Sequence, residues 1–371
     1  MRQLSVKPEI HKFDTTKEFC KFFKIGKGDL ILTNEFLYKP FLKKYTDGSD
    51  VIFQETFGMG EPSDQMINKI IKYIGNEKYD RVIALGGGTV IDIAKLLRLK
   101  YTKDSLDLFD GKVPLIKDKQ LIIIPTTCGT GSEVTNVSVA ELKSKHTKKG
   151  IASDELYADY AVLIPEVVKG LPYKFFVTSS VDALIHATES YLSPKATSYT
   201  ELFSMEAVKL ILNGYIKVLE KGEDYRTQII EQFVFGSNYA GIAFGNAGCG
   251  AVHALSYPIG GNYHVPHGEA NYLFFTEIFK IYMKKNPDGK IKKLNSVLAD
   301  ILNCNQEKVY EELSKVLDKL LPRKPLRTYG MKKEEIEIFT DDVIKGQQRL
   351  LVNNYEPLSR EEIAGIYDRL Y

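Results

Sequence analysis

Six histidines occur in this chain, and three of them, His253, His264 and His267, crowd into one glycine-rich stretch. A fourth, His186, stands four residues after Asp182. Residues four apart share one face of a helix, so a helical segment here points a carboxylate and an imidazole the same way. Imidazoles with one carboxylate make a nitrogen-and-oxygen donor set suited to iron(II) or zinc. An ion held with an open coordination position polarises a substrate oxygen. Two local roles compete with this reading. Ser179 as a helix cap would make Asp182 the acid of a capping box. A lone His186 reads equally as a satisfied core or surface side chain. The stretch from Gly250 to Gly268 strengthens the metal reading. His253 is expected near the end of a helix stopped by Pro258. His267, just after Pro266, is expected to open the next helix.

A second chemistry is written into two loops. Gly86-Gly87-Gly88-Thr89 follows an apolar run and leads into a helical pattern from Val90, with Asp92 in its first turn. Glycines admit close approach of a ligand, and a helix N-terminus offers unpaired N–H groups and partial positive charge. Together they suit phosphate or pyrophosphate. The spacing is not Gly-x-Gly-x-x-Gly, and the competing reading of three glycines alone is a tight strand-to-helix turn. The loop Pro125-Thr126-Thr127-Cys128-Gly129-Thr130-Gly131-Ser132-Glu133 also follows an apolar run and is dense in hydroxyls. Two such loops at the ends of parallel strands would line a ligand crevice. Cys128 has no histidine near it in sequence and reads as a packing residue.

The elements that must carry these residues fall into two patterns. Strand-like runs at 29–33, 51–53, 81–85, 121–124 and 161–164 alternate with helical spacing at 63–73 and 90–99. That alternation predicts a doubly wound, parallel α/β domain over 1–176. From about Phe175 helical periodicity dominates, including 181–191, 199–219 and 225–243, and an all-α domain is expected over 177–371. The chain of 371 residues is 44% hydrophobic with a formal net charge of +2, an ordinary globular composition with no argument for nucleic acid or membrane-surface binding. No apolar run approaches the roughly 20 residues that span a bilayer. The first residues lack the apolar core of a secretory signal. Cys20, Cys128, Cys249 and Cys304 form no Cys-x-x-Cys pair, which fits free thiols in a reducing, cytoplasmic setting.

Four motifs stand in one order along the chain: Gly-Gly-Gly-Thr-x-x-Asp, Pro-Thr-Thr-x-Gly-Thr-Gly-Ser-Glu, Asp-Ala-Leu-x-His-Ala and Pro-His-Gly. In them the sequence resembles the iron-containing alcohol dehydrogenase family over essentially its whole length. The resemblance implies a dehydroquinate synthase-like fold, with a dinucleotide-binding α/β domain followed by a helical metal domain, paired as a homodimer. It implies Asp182, His186, His253 and His267 as ligands of Fe2+, with Zn2+ as the alternative. It implies Gly87, Gly88 and Thr89 as the pyrophosphate loop of NAD, with Thr126, Thr127 and Thr130 in the second cofactor loop and Lys149 near the ribose. The cofactor would sit between the two domains. Within the family, the nearest likeness is to the subgroup acting on 4-hydroxybutyrate and succinate semialdehyde, a pair whose carboxylate needs a cationic or backbone partner that the sequence does not single out.

The chain also departs from the family pattern. Many relatives carry a further histidine, a candidate proton relay, where Tyr257 stands. A tyrosine hydroxyl is a weaker proton acceptor than imidazole at neutral pH. His264 is the alternative relay, and both residues read equally as packing or loop side chains. Relatives usually have an aspartate that selects NAD at the end of the first strand. Here Asn34 follows Thr33, which leaves NADP open. Asn354-Tyr355-Glu356 replaces the Asn-Pro-Arg common near the C-terminus. The same framework also serves NAD-and-metal cyclases, other small-alcohol dehydrogenases and a non-catalytic assembly protein.

Overall fold

The computed structural model describes residues 2–100, 103–145 and 147–371. They form two compact units, Val6–Leu171 and Pro172–Tyr371, the second joined by the N-terminal residues up to Ser5. The Ser5 backbone N–H donates to Asn246 Oδ1 at 2.7 Å, and Asn246 Nδ2 donates back to the Ser5 carbonyl at 3.0 Å. The division falls at Pro172, before the expected 176/177 boundary, because the helix containing Val177 already begins at Tyr173.

Among the described residues, eight strands lie in the first unit: β1 (Glu9–Lys12), β2 (Asp29–Thr33), β3 (Asp50–Phe53), β4 (Arg81–Gly86), β5 (Gln120–Pro125), β6 (Val137–Leu142), β7 (Thr147–Ala152) and β8 (Tyr160–Leu163). Six form one sheet in the order β1-β8-β5-β4-β2-β3, every pair parallel. Consecutive residues of β2, β4 and β5 are buried, as a sheet covered on both faces requires. Arg81 clamps the start of β4 to that of β2 through Asp29, with Nε to Oδ1 at 2.6 Å and Nη2 to Oδ2 at 2.7 Å. From β2 the chain goes first to β3 on one side and then to β4 on the other. That reversal is where open α/β sheets bind ligands, outside the carboxyl ends of the strands. Gly86 ends β4 there, and Asn34 follows β2.

The expected strands are present, whereas β1 and the antiparallel β6–β7 hairpin were not anticipated. β1 and β7 are largely exposed or polar and β6 alternates in burial, so no unbroken apolar run marks them. The hairpin is tied to the Gly88–Leu97 helix by a buried polar network. Lys95 Nζ donates to Ser132 Oγ at 2.7 Å, Thr135 Oγ1 at 3.2 Å and the Val137 carbonyl at 2.7 Å. Asp92 accepts from Ser132 Oγ at 2.9 Å and the Val139 N–H at 3.0 Å. All three ammonium protons are thus used, and the hydroxyl-rich loop is held against the helix.

The second unit is helical. The Tyr173–Leu192 helix packs against Ser198–Lys221, Ile230–Ala247 and His267–Lys285. Every side chain from Ser180 to Leu192 is buried, so this helix is the centre of the unit. Ser179 therefore caps nothing. It lies inside the helix, and the capping-box reading of Asp182 fails. The expected helix at 225–243 is instead a 3₁₀ turn, Glu223–Thr227, followed by Ile230–Ala247. Pro258 does not stop its helix, which runs Ala251–Tyr263 and ends at His264 in the left-handed conformation, φ 53. A proline removes one intrahelical bond, and burial of Ala251 to Ser256 and Ile259 holds the flanks in place. His253 is consequently in the first turn of that helix, not near its end. Among the described residues no helix is long and apolar enough to cross a membrane.

Burial pushes the Lys95 ammonium down from 10.5 to about 8, against the opposing pull of Asp92 and Glu133. Between these values the unfolded chain binds more protons than the folded one, so folding stability from this group rises with pH. Relative to Lys95→Met, the wild type should gain up to about 3 kcal/mol between pH 8 and 10.5 in denaturant unfolding. A pH-independent difference between the two proteins would contradict this account.

Candidate metal centre

Three helices bring the donors together. Asp182 and His186 sit one turn apart on Tyr173–Leu192, His253 in the first turn of Ala251–Tyr263, and His267 at the first position of His267–Lys285. One donor atom from each lies within 4.8 Å of all the others. His253 Nε2 and His267 Nε2 are both 3.8 Å from Asp182 Oδ1, and His253 Nε2 faces His186 Nε2 at 3.0 Å. Bonds of about 2.1 Å to a common ion keep donors within about 4.2 Å of one another. The three separations fit, and two imidazole nitrogens facing each other need a proton or a cation between them.

The environment favours a cation. Burial alone would raise the Asp182 carboxyl, but the imidazoles of His186, His267 and His253 and a hydrogen bond from Asn271 outweigh it and hold it below its ordinary value. Asn271 Nδ2 donates to Asp182 Oδ1 at 2.8 Å, and its own Oδ1 accepts from Ser256 Oγ at 2.5 Å. Phe244 stacks on His186 at 4.1 Å between centroids. Glu189, one further turn along the helix of Asp182 and His186, is buried. Its Oε2 lies 2.6 Å from His253 Nδ1 and its Oε1 accepts from the Val252 N–H at 2.7 Å. A carboxylate on Nδ1 fixes the tautomer that leaves Nε2 free to ligate. His267 is the most exposed of the four, with 34% of its side chain open.

Gly268 explains the glycine of the Pro-His-Gly motif. A Cβ there would lie 2.1 Å from the Thr178 carbonyl oxygen and 3.3 Å from the Asp182 Cβ. Only glycine lets the start of this helix approach the central helix closely enough to set His267 beside Asp182.

The cofactor-loop residues are adjacent within the first unit. Gly87 caps the Gly88–Leu97 helix without a side chain, leaving its first N–H groups for a ligand. A Cβ on Gly88 would come within 3.3 Å of Thr130, and one on Gly87 within 3.6 Å of Thr127, so the two loops line one surface. Gly86 is sterically required, since its Cβ would meet Val90 at 2.6 Å. Thr89 Oγ1 donates to the Gly60 carbonyl at 3.1 Å, and the Thr126 N–H to that of Gly86 at 3.1 Å. Asp92 is engaged in the Lys95 network described above. Lys149 lies exposed on β7, opposite Ala140. Cys128 is buried, and burial drives its thiol far above the usual range, which makes it inert.

Asn34 occupies the N-cap of Glu35–Phe41, but its side chain makes no capping bond. Its Nδ2 donates to Glu55 Oε2 at 2.7 Å, while the Glu35 N–H donates to Glu55 Oε1 at 2.7 Å. Tyr257 lies close to the metal cluster, its ring 6.3 Å from that of His267. His264 is exposed and stands outside the four-residue cluster. Glu189, Asn271, Glu55 and Lys95 were not singled out from sequence. The Glu at the seventh position after Asp182 was the one available signal, because it completes the same helical face.

Comparison with known proteins agrees with this geometry. The profile of the iron-containing alcohol dehydrogenases matches residues 10–165, and that of the C-terminal domain of the same family matches residues 176–371. The chain belongs to the iron-containing alcohol dehydrogenase family. It is 73% identical to the 4-hydroxybutyrate dehydrogenase of Clostridium kluyveri over 371 residues, 100% of both chains. It is 30% identical to the sulfoacetaldehyde reductase of Bilophila wadsworthia, covering 98% of this chain and 97% of that one. The crystal structure of the sulfoacetaldehyde reductase of Bifidobacterium kashiwanohense in complex with NAD+ shares the fold, with a TM-score of 0.86 at 20% identity, covering 100% of this enzyme and 98% of that chain.

If Glu189 orients His253, Glu189→Gln should weaken retention of zinc or iron(II) by about 10- to 100-fold in competition with a chelator. The fold, read by circular dichroism, should survive. An unchanged chelator midpoint would show that Glu189 does not orient the ligand.

Proposed function

We propose that this dehydrogenase oxidises 4-hydroxybutyrate to succinate semialdehyde with NAD, and runs the reverse reduction, at a metal held by Asp182, His186, His253 and His267. The convergence of those four donors from three helices carries the reading, and the 73% identity to the clostridial 4-hydroxybutyrate dehydrogenase supports the substrate. The N3O donor set suits iron(II), with zinc as the alternative. When bound, the ion supplies Lewis-acid polarisation of the substrate oxygen and the nicotinamide supplies the hydride acceptor.

The chain's own residues do the positioning. Gly87, Gly88 and Thr89 offer backbone N–H groups at a helix N-terminus to the pyrophosphate. Thr126, Thr127 and Thr130 offer hydroxyls, and Lys149 a cation toward the ribose. Glu55 supplies the acid that Asn34 lacks. Held by Asn34 Nδ2 and the Glu35 N–H, it can accept from the ribose hydroxyls and repel a 2′-phosphate. Tyr257 is preferred to His264 for proton relay because its ring lies beside His267. Free thiols at Cys20, Cys128, Cys249 and Cys304 support a cytoplasmic setting. The family resemblance supports a homodimer, which light scattering tests.

NADH consumption with succinate semialdehyde, with and without added iron(II) or zinc, is the direct test. No turnover of the semialdehyde alongside rapid turnover of uncharged aldehydes would overturn the substrate. His267→Ala should lose both bound metal and turnover, and full activity in that variant would sink the metal assignment. For cofactor choice, Glu55→Gln should narrow the preference for NAD over NADP by roughly tenfold in a fluorescence binding titration. An unaltered ratio of the two dissociation constants would remove Glu55 from that role.

A further inference from the structure

A four-carbon hydroxy acid needs an anchor for its carboxylate within reach of the metal donors. Arg349 approaches that cluster through Tyr257. It lies on the short Gln348–Leu351 helix, which packs against Ala251–Tyr263, the helix of His253. Its Nη2 donates to the Tyr257 hydroxyl at 3.1 Å, and its Cζ is 6.0 Å from the Tyr257 ring centroid. Tyr257 is one turn beyond His253 on the same helical face, and its ring is 6.3 Å from that of His267. The guanidinium is therefore one aromatic ring removed from a metal donor. An extended 4-hydroxybutyrate, with carbon–carbon bonds of about 1.5 Å, spans about 5 to 6 Å from its hydroxyl oxygen to its carboxylate.

Arg349 is also set apart by its pairing. Between Pro172 and Tyr371, Arg226, Arg323, Arg360 and Arg369 each pair with an acid, and Arg327 donates to the Tyr371 carbonyl. Among the described residues no carboxylate pairs with Arg349. Its backbone is nonetheless fixed. Asn353, buried, donates Nδ2 to the Arg349 carbonyl at 3.2 Å and to the Cys249 carbonyl at 2.9 Å, just before the helix of His253. A cation whose one side-chain hydrogen bond among the described residues goes to a neutral hydroxyl, pinned to the element that carries a metal donor, is a prepared site for an anion.

We propose that Arg349, steadied by the Tyr257 hydroxyl, binds the carboxylate of the substrate and so sets the preference for ω-hydroxy acids and their semialdehydes over uncharged alcohols. The proposal rests on the 4-hydroxybutyrate reading above. The planar fork of Arg349 takes the carboxylate in two parallel hydrogen bonds, which fixes the distal end of the chain while the hydroxyl end lies at the metal donors.

The test compares succinate semialdehyde with butanal, an uncharged aldehyde of equal length, in the wild type, Arg349→Gln and Arg349→Lys, each loaded with the same metal. Arg349→Gln should lose roughly 10- to 100-fold more in kcat/KM for the semialdehyde than for butanal, the difference lying mainly in KM, while any loss through Tyr257 falls on both substrates alike. Arg349→Lys should fall between. Metal content and circular dichroism should match the wild type in both variants. A wild type that prefers the semialdehyde, with Arg349→Gln keeping that preference, overturns the anchor and leaves the substrate reading standing. A wild type that turns over butanal as well as the semialdehyde overturns both. Equal losses on both substrates also overturn the anchor, since a general structural defect does not distinguish a carboxylate.

Discussion

A carboxylate sealed inside a helical core is the constraint from which the second unit is built. Asp182 is almost wholly buried in the central helix, and an uncompensated charge there would cost several kcal/mol. The surrounding structure answers it from three sides. His253 and His267 enter from two different helix starts, His186 from the same helix, and Asn271 donates a hydrogen bond to Oδ1. Glu189 repeats the arrangement one layer out, a second buried carboxylate answered by His253 Nδ1 and the Val252 N–H. Two acids and three imidazoles thus form one interlocked set in which each group's burial depends on its neighbours.

The first unit solves a different problem, the exposure of backbone to a ligand. Its loops are permissive where a cofactor approaches and rigid directly behind. Gly87 and Gly88 leave the helix start open, whereas Lys95 and Asp92 fasten the same helix to the opposite loop through buried hydrogen bonds. The burial that depresses Lys95 is thus part of holding Thr130 against the glycine loop.

Much of this was legible in sequence, for identifiable reasons. The strands at 29–33 and 81–85 announce themselves because burial on both faces demands unbroken apolar runs. The pairing of Asp182 with His186 follows from helical spacing alone. What stayed hidden depends on contacts between distant segments. Glu189 reads as an ordinary helical acid until Val252 and His253 are placed beside it, and Arg349 is one arginine among several until Tyr257 is placed beside it. Local rules also misled. Ser179 has the right type for a cap and Pro258 the right type for a helix stop, yet packing along Tyr173–Leu192 and Ala251–Tyr263 overrides both.

β1 was invisible from sequence because it is short and polar, and that same character protects the protein in solution. The sheet is open, with β1 at one margin and β3 at the other. An open margin offers unpaired N–H and C=O groups to any passing strand and invites aggregation. Both marginal strands span only four residues; Glu9, His11 and Lys12 stud one, and Asp50 begins the other. A second sheet meeting either margin would find few bonds to make and charges to desolvate, so the interior strands, apolar enough to stick to anything, remain shut away.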